Sequence, residues 1–188
     1  MELRDPSISG PVRVGTGEGR TVRMPGGRLL TRKVSGEQTG GAYSLFEVLV
    51  APGGGEGPHV QHREDECFYV LEGRFEFLHE DARIEAGPGS LVYVPKGGLH
   101  AFENAGETTG RMLVSQTPGG AYEGFVEEVG EPAVAEEGSP QAEEPPNLEG
   151  LVAAGARYGV EMVPPLPWRT LGEHETSKNE PEKGRKSG

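Results

Sequence analysis

Gly53–Gly73 reads GGGEGPHVQHREDECFYVLEG, and after a short gap Gly89–Asn104 reads GSLVYVPKGGLHAFEN. Both stretches are short apolar runs cut by turn residues, which predicts short strands with tight connections. Successive side chains on a strand alternate faces, so His59 and Gln61 point one way and His62 the other. Glu66 lies beyond the charged turn HREDE and reaches the same spot from the following strand. His100 comes from a hairpin brought alongside. Two imidazoles and a carboxylate make a mixed nitrogen/oxygen donor set suited to one divalent transition metal: Mn, Fe, Co, Ni or Zn.

The same pattern extends outward. Tyr43–Val50 (YSLFEVLV) is aromatic and β-branched and lies between Gly40-Gly41 and Pro52-Gly53, which predicts a strand. Arg28–Val34 predicts an earlier strand. Later short strands are expected at His59–His62, Cys67–Leu71, Arg74–His79, Arg83–Glu85, Ser90–Val94, Ala101–Glu103 and Arg111–Gln116. Gly and Pro make up 47 of 188 residues, and their placement between apolar runs points to an all-β sandwich or barrel. Beyond Pro118 the period changes. Tyr122, Phe125, Val126 and Val129 recur at helical spacing. A second helix is expected after an Asn147 cap, with Leu148, Leu151, Val152 and Gly155 on one face and Gly159 as terminator. Glu131–Pro146 reads as a linker, Val163–Trp168 as an extended segment against the barrel, and the residues beyond Leu171 as a disordered tail.

Net charge is −12, which argues against nucleic acid or an anionic membrane surface as partner. No apolar run is long enough to span a bilayer, and Met1–Gly10 is too polar for a secretory leader. Cys67, the one cysteine, has no internal partner, and a cytoplasmic protein is the plain expectation.

Gly53, His59, Glu66 and Gly73, followed by Gly89, Pro95, Gly97, His100 and Asn104, resemble the paired signature motifs of the cupin superfamily, G-x5-H-x-H-x3-4-E-x6-G and G-x5-P-x-G-x2-H-x3-N. The resemblance implies a single-domain cupin, an antiparallel jelly-roll β-barrel at residues 27–118. Residues 1–26 would form an N-terminal extension, 119–171 a helical segment packed on the barrel, and 172–188 a tail. The wider stretch, about residues 17–168 and including Ala154–Pro167 (AGARYGVEMVPPLP), is similar to bacterial cupins of the quercetin (flavonol) dioxygenase-like group. That similarity implies a metal-dependent dioxygenase. The substrate enolate would bind the metal, and dioxygen would open the ring with loss of carbon monoxide. His59, Glu66 and His100 would be metal ligands and Glu66 also the base that takes the hydroxyl proton.

The departure from the motif is Gln61, where the family places a second histidine. Three readings are open: its amide oxygen binds the metal; it sits beside the ligands and holds a metal-bound water; or neither holds, and either a bulge turns His62 inward or the site is empty or structural. Glu64 and Asp65 read as solvated turn charges, Cys67 as packing, His62 as a surface histidine and His79 as a turn residue. Parity places Phe68 with Glu66 and Phe102 with His100, so these two are expected to line an apolar substrate pocket. The apolar strands favour an aromatic or apolar small molecule over a sugar. The rival readings are a non-catalytic small-molecule-binding cupin and a metal-dependent isomerase or lyase for a sugar or keto-acid. Hydrophobic strand edges that need cover predict a homodimer.

Overall fold

The computed structural model describes residues 10–79, 82–133, 140 and 148–163. Its strands are β1 (Arg20–Met24), β2 (Arg28–Val34), β3 (Ser44–Val50), β4 (Gly55–Gln61), β5 (Asp65–Glu72), β6 (Phe75–His79), β7 (Ala82–Ala86), β8 (Leu91–Val94), β9 (Leu99–Asn104) and β10 (Gly110–Thr117). Helix α1 (Ala121–Val129), β11 (Glu131–Ala133), α2 (Leu148–Tyr158) and β12 (Val160–Met162) follow. The strands form two antiparallel sheets, ordered β11-β1-β2-β3-β10-β5-β8 and β12-β4-β9-β6-β7. This is the expected all-β jelly roll with C-terminal helices.

The alternating patterns put one face of each sheet inside. On β3 the burial follows the residue period, with Ser44, Phe46, Val48 and Val50 inward. Register stacks them in rows across the first sheet. Phe46, Val114, Phe68 and Val92 form one row, and Val48, Met112 and Val70 the next. Phe75, Phe77 and Phe102 answer from the second sheet, and their rings meet one another and Phe68 at centroid separations of 5.1–6.5 Å. Such offset and edge contacts suit the aromatic quadrupole.

Three strands were not expected from the sequence: β1, β11 and β12, the last pairing with β4. β1 lies inside the stretch read as an N-terminal extension, and it pairs with β2 on one side and β11 on the other. Glu131–Ala133, read as linker, supplies that outer partner. Arg20–Met24 is too short and too polar to announce itself. The β1–β2 hairpin holds it, with Val22 and Met24 buried.

α1 occupies the predicted residues and buries Tyr122, Phe125 and Val126. The apolar face of α2 differs from expectation. Ala154 and Gly155 are buried, whereas Leu148 and Val152 are 47% and 46% exposed. The helix approaches β12 through its small residues: a Cβ on Gly155 would lie 2.3 Å from the Val160 carbonyl oxygen. Asn147, Pro164–Trp168 and the tail beyond Leu171 lie outside the described residues. No described helix is long and apolar enough to cross a membrane.

Candidate metal centre

His59 and His100 sit directly opposite each other on β4 and β9, so both imidazoles leave the second sheet at one level. Glu66 enters from the first sheet, at the start of β5. All three are buried, and their ligand atoms lie within 4.8 Å of one another. The Glu66 Oε2 is 2.7 Å from His100 Nε2 and 3.7 Å from His59 Nε2.

The backbone sets the direction of both rings. Nδ1 of His59 bonds the Gly57 carbonyl at 2.9 Å, and Nδ1 of His100 bonds the Gly98 carbonyl at 3.1 Å. A carbonyl only accepts, so Nδ1 carries the proton in each ring. In a neutral imidazole Nε2 is then a lone pair aimed at the Glu66 carboxylate. Nε2 of both histidines and Oε2 of Glu66 are buried without a hydrogen-bond partner. Leaving such groups unmatched is costly. A cation among them satisfies all three, and the residues present therefore fit a metal ion. Without one, protonation does the same task. Burial lowers the His59 pKa, but the Glu56 and Glu66 carboxylates outweigh it and push the group up to about 9. Burial raises Glu66, yet His100 and His59 hold it well below the usual carboxylate range.

The turn that delivers His100 explains the proline–glycine spacing. Gly98 N–H donates to the Pro95 carbonyl at 3.0 Å, and Gly97 adopts φ +84°, a third-position conformation that favours glycine. Gly97 N–H also donates to the Gln61 carbonyl at 2.7 Å, which fastens this turn to β4.

Gln61 follows His59 by two residues and is buried, with its Nε2 lacking a partner. His62 is exposed and pairs with Glu161 at 2.7 Å, so the arrangement with His62 turned inward does not hold. A register shift does occur in β4, but between Glu56 and His59. It lets both of these side chains face the interior although they are three residues apart.

Several residues of this centre were missed in the sequence. Gln116 lies between Ser44 and Glu66 in cross-strand register. Its Nε2 donates to Glu66 Oε1 at 3.2 Å, and Ser44 Oγ donates to Gln116 Oε1 at 3.2 Å. Glu66 is thereby held on one oxygen and presents the other. Glu64, expected to be solvated, is buried. Its two carboxylate oxygens accept the Ala121 and Tyr122 backbone N–H groups at 2.8 and 2.7 Å, and so serve an α1 N-terminus that has no side-chain cap of its own. Asp65 accepts the Lys96 N–H at 2.8 Å. His79, expected in a turn, ends β6 opposite His100, and its Nδ1 is buried without a partner.

Arg28, Glu56 and Tyr122 complete the polar interior. The Arg28 and Glu56 side chains form an ion pair, each about 6% exposed, and the Tyr122 hydroxyl lies 3.3–3.4 Å from both Glu56 oxygens. With Glu66, Gln116, Phe68 and Phe102 they border a space of about 10 Å³, room for about one water. Phe68 and Phe102 border this small space as packed core.

Residues 46–115 match the family model described as cupin domain. An uncharacterized protein from Methanocaldococcus jannaschii is 29% identical over 80 residues, covering 43% of this chain and 64% of that protein. The chain spans less than two thirds of the length of the curated relatives it matches. Among solved structures, the polyketide cyclase RemF from Streptomyces resistomycificus superposes with TM-score 0.51 at 27% identity, over 57% of this chain and 80% of that one. KdgF from Halomonas sp. superposes with TM-score 0.52 at 18% identity, over 58% of this chain and 94% of that one, a likeness of fold. The barrel is a cupin fold, and residues 46–115, which carry its buried histidine–glutamate–histidine cluster, match the cupin domain.

Proposed function

We propose that this chain is an enzyme dependent on one divalent transition metal held by His59, Glu66 and His100, with Gln61 beside it. Its substrate is an enolisable small molecule with an aromatic or apolar body. Oxygen-dependent ring cleavage of the flavonol type is the reaction to test first. The observation that supports the reading is the pair of backbone-fixed imidazoles whose lone pairs face a carboxylate across a buried gap.

A bound divalent ion would supply Lewis acidity toward an anionic oxygen. The chain supplies the rest. Gln116 fixes Glu66 so that one carboxylate oxygen stays available to accept a substrate hydroxyl proton, within the reach that general-base catalysis needs. Phe68, Phe77 and Phe102 exclude bulk water from the chamber. The likeness to a polyketide cyclase agrees with this substrate class, since a polyketide is a chain of enolisable ketones. A cytoplasmic setting, in which Cys67 stays a thiol, belongs to the same reading.

One observation favours a second reading. Arg28, Glu56, Tyr122, Gln116 and Glu66 around the inner chamber make it more polar than its strand sequences suggested, which suits an isomerase or lyase for a keto-acid. Oxygen uptake separates the two. Protein loaded with Mn(II), Fe(II), Co(II) or Ni(II) should consume oxygen with a flavonol, and Glu66→Gln should abolish it. Metal-replete protein that turns over no flavonol but exchanges the α-protons of a keto-acid would favour the second reading. Full metal occupancy without either activity would leave a binding protein.

A further inference from the structure

A second cavity, of about 330 Å³, lies outside the inner chamber and shares Arg28 and Glu56 with it. Its other walls are mainly apolar: Met24, Phe125, Leu151, Met162 and the exposed Leu148 among them. The hairpin between β1 and β2 forms its floor against β4. There Gly55 N–H donates to the Gly26 carbonyl at 2.8 Å. A Cβ on Gly26 would lie 2.1 Å from the Gly55 carbonyl oxygen, so only glycine allows the approach that brings the Arg28 hairpin to β4.

The ion pair therefore stands between a mainly apolar chamber of ligand size and a polar chamber with room for about one water. A void between helices and a barrel is in itself ordinary. A buried ion pair on its inner wall is not, because burying both charges costs free energy that apolar residues of like volume would not incur. Arg28 spends Nε on the Pro25 carbonyl and Nη1 on Glu56 and also lies against the Tyr122 hydroxyl, out of five N–H donors in all.

We propose that the outer cavity is the apolar-body subsite of the ligand and that Arg28 binds a carboxylate on that body, distinct from the oxygen offered to the metal. This rests on the reading of the substrate given above and adds the place where the body sits, which the inner chamber is too small to hold. It also gives an order of contact, since the ligand meets Arg28 before the metal ligands.

The test is calorimetric titration of the full chain with 2-naphthoate and with 2-naphthylmethanol, before and after chelation. The wild type should bind the carboxylate about tenfold or more tighter than the alcohol, the difference a hydrogen-bonded charge makes, and chelation should leave that preference in place. Leu151→Trp and Leu148→Trp, which fill the cavity, should weaken both probes. Arg28→Met with Glu56→Gln removes both charges together and should equalise the probes while the alcohol still binds. If that double variant does not fold, Leu148→Trp on its exposed position carries the test. The inference is overturned if the tryptophan variants bind as wild type does, if no anion preference exists, or if chelation removes it. The last result would place the anion on the metal and leave the metal-centre reading intact, whereas loss of metal binding with naphthoate binding retained would sink that reading alone.

Discussion

Gln116→Leu should weaken metal binding without touching a ligand. Gln116 donates to Glu66 Oε1 at 3.2 Å and is itself oriented by Ser44, and all three side chains are buried. Leucine keeps the approximate volume and removes both bonds. Glu66 then loses a donor to a charged oxygen, an interaction worth about 1.5–3 kcal/mol, and the Ser44 hydroxyl is stranded. Partners that orient a metal ligand typically contribute 10–100-fold in affinity, so the dissociation constant should rise by about that factor, about 1.4–2.8 kcal/mol. The assay is competition for Co(II) or Mn(II) against a chromophoric chelator. Urea unfolding of the metal-free form reports the structural cost separately. Gln116→Glu is the companion variant: it keeps the size but faces Glu66 with a second carboxylate, and it should bind metal no better than leucine does at neutral pH. Affinity indistinguishable from wild type in Gln116→Leu, with the fold intact, would refute the claim that this row aims Glu66.

The metal-free protein should lose stability as pH rises from about 6.5 through about 9, because the His59 pKa is raised to about 9 in the fold and its contribution is complete only below the unfolded value. Over the same window metal affinity should increase, since the ion needs neutral imidazole; unfolding and binding curves that both rise would contradict this. On acidification, the depressed Glu66 carboxyl contributes stability that is present above its unfolded value and lost as pH falls. Gln61→His should raise affinity for Co(II), Ni(II) and Zn(II) more than for Mn(II), as an imidazole replaces a neutral amide; equal changes would mean residue 61 does not touch the ion. On the proposed homodimer, light scattering at micromolar concentration should give twice the chain mass, and a monomer mass would end that reading.

The fold was legible because its signals are local. Turn glycines and prolines bracket runs with a period of two, and β3 shows that period directly in its burial. His59, Glu66 and His100 were legible for the same reason: each lies at a fixed offset from a turn that aims it. What local spacing does not carry is register between distant strands. Gln116 is fifty residues from Glu66 and becomes its neighbour only when β10 pairs with β5. Glu56 was hidden differently. Strict alternation puts residues 56 and 59 on opposite faces, and the shift between them in β4 reverses that parity.

Arg28 shows the larger lesson. The sequence marks RLLTRKV as a strand and singles out nothing in its arginine, and strands rich in Phe, Leu, Val and Met read as an apolar interior. Both readings treat each strand alone. In the fold, α1 brings Tyr122 and β4 brings Glu56 to the same point, and the Arg28 charge becomes buried because its partners come from two other elements. Tyr122 depends in turn on Glu64, whose carboxylate holds the first turn of α1. The segment His59–Glu66 thus does two things at once: His59 and Glu66 belong to the buried cluster, and Glu64 anchors the first turn of α1. A change at Glu64 should therefore reach the ion pair through Tyr122, a coupling invisible in the motif itself and readable only in the assembled fold.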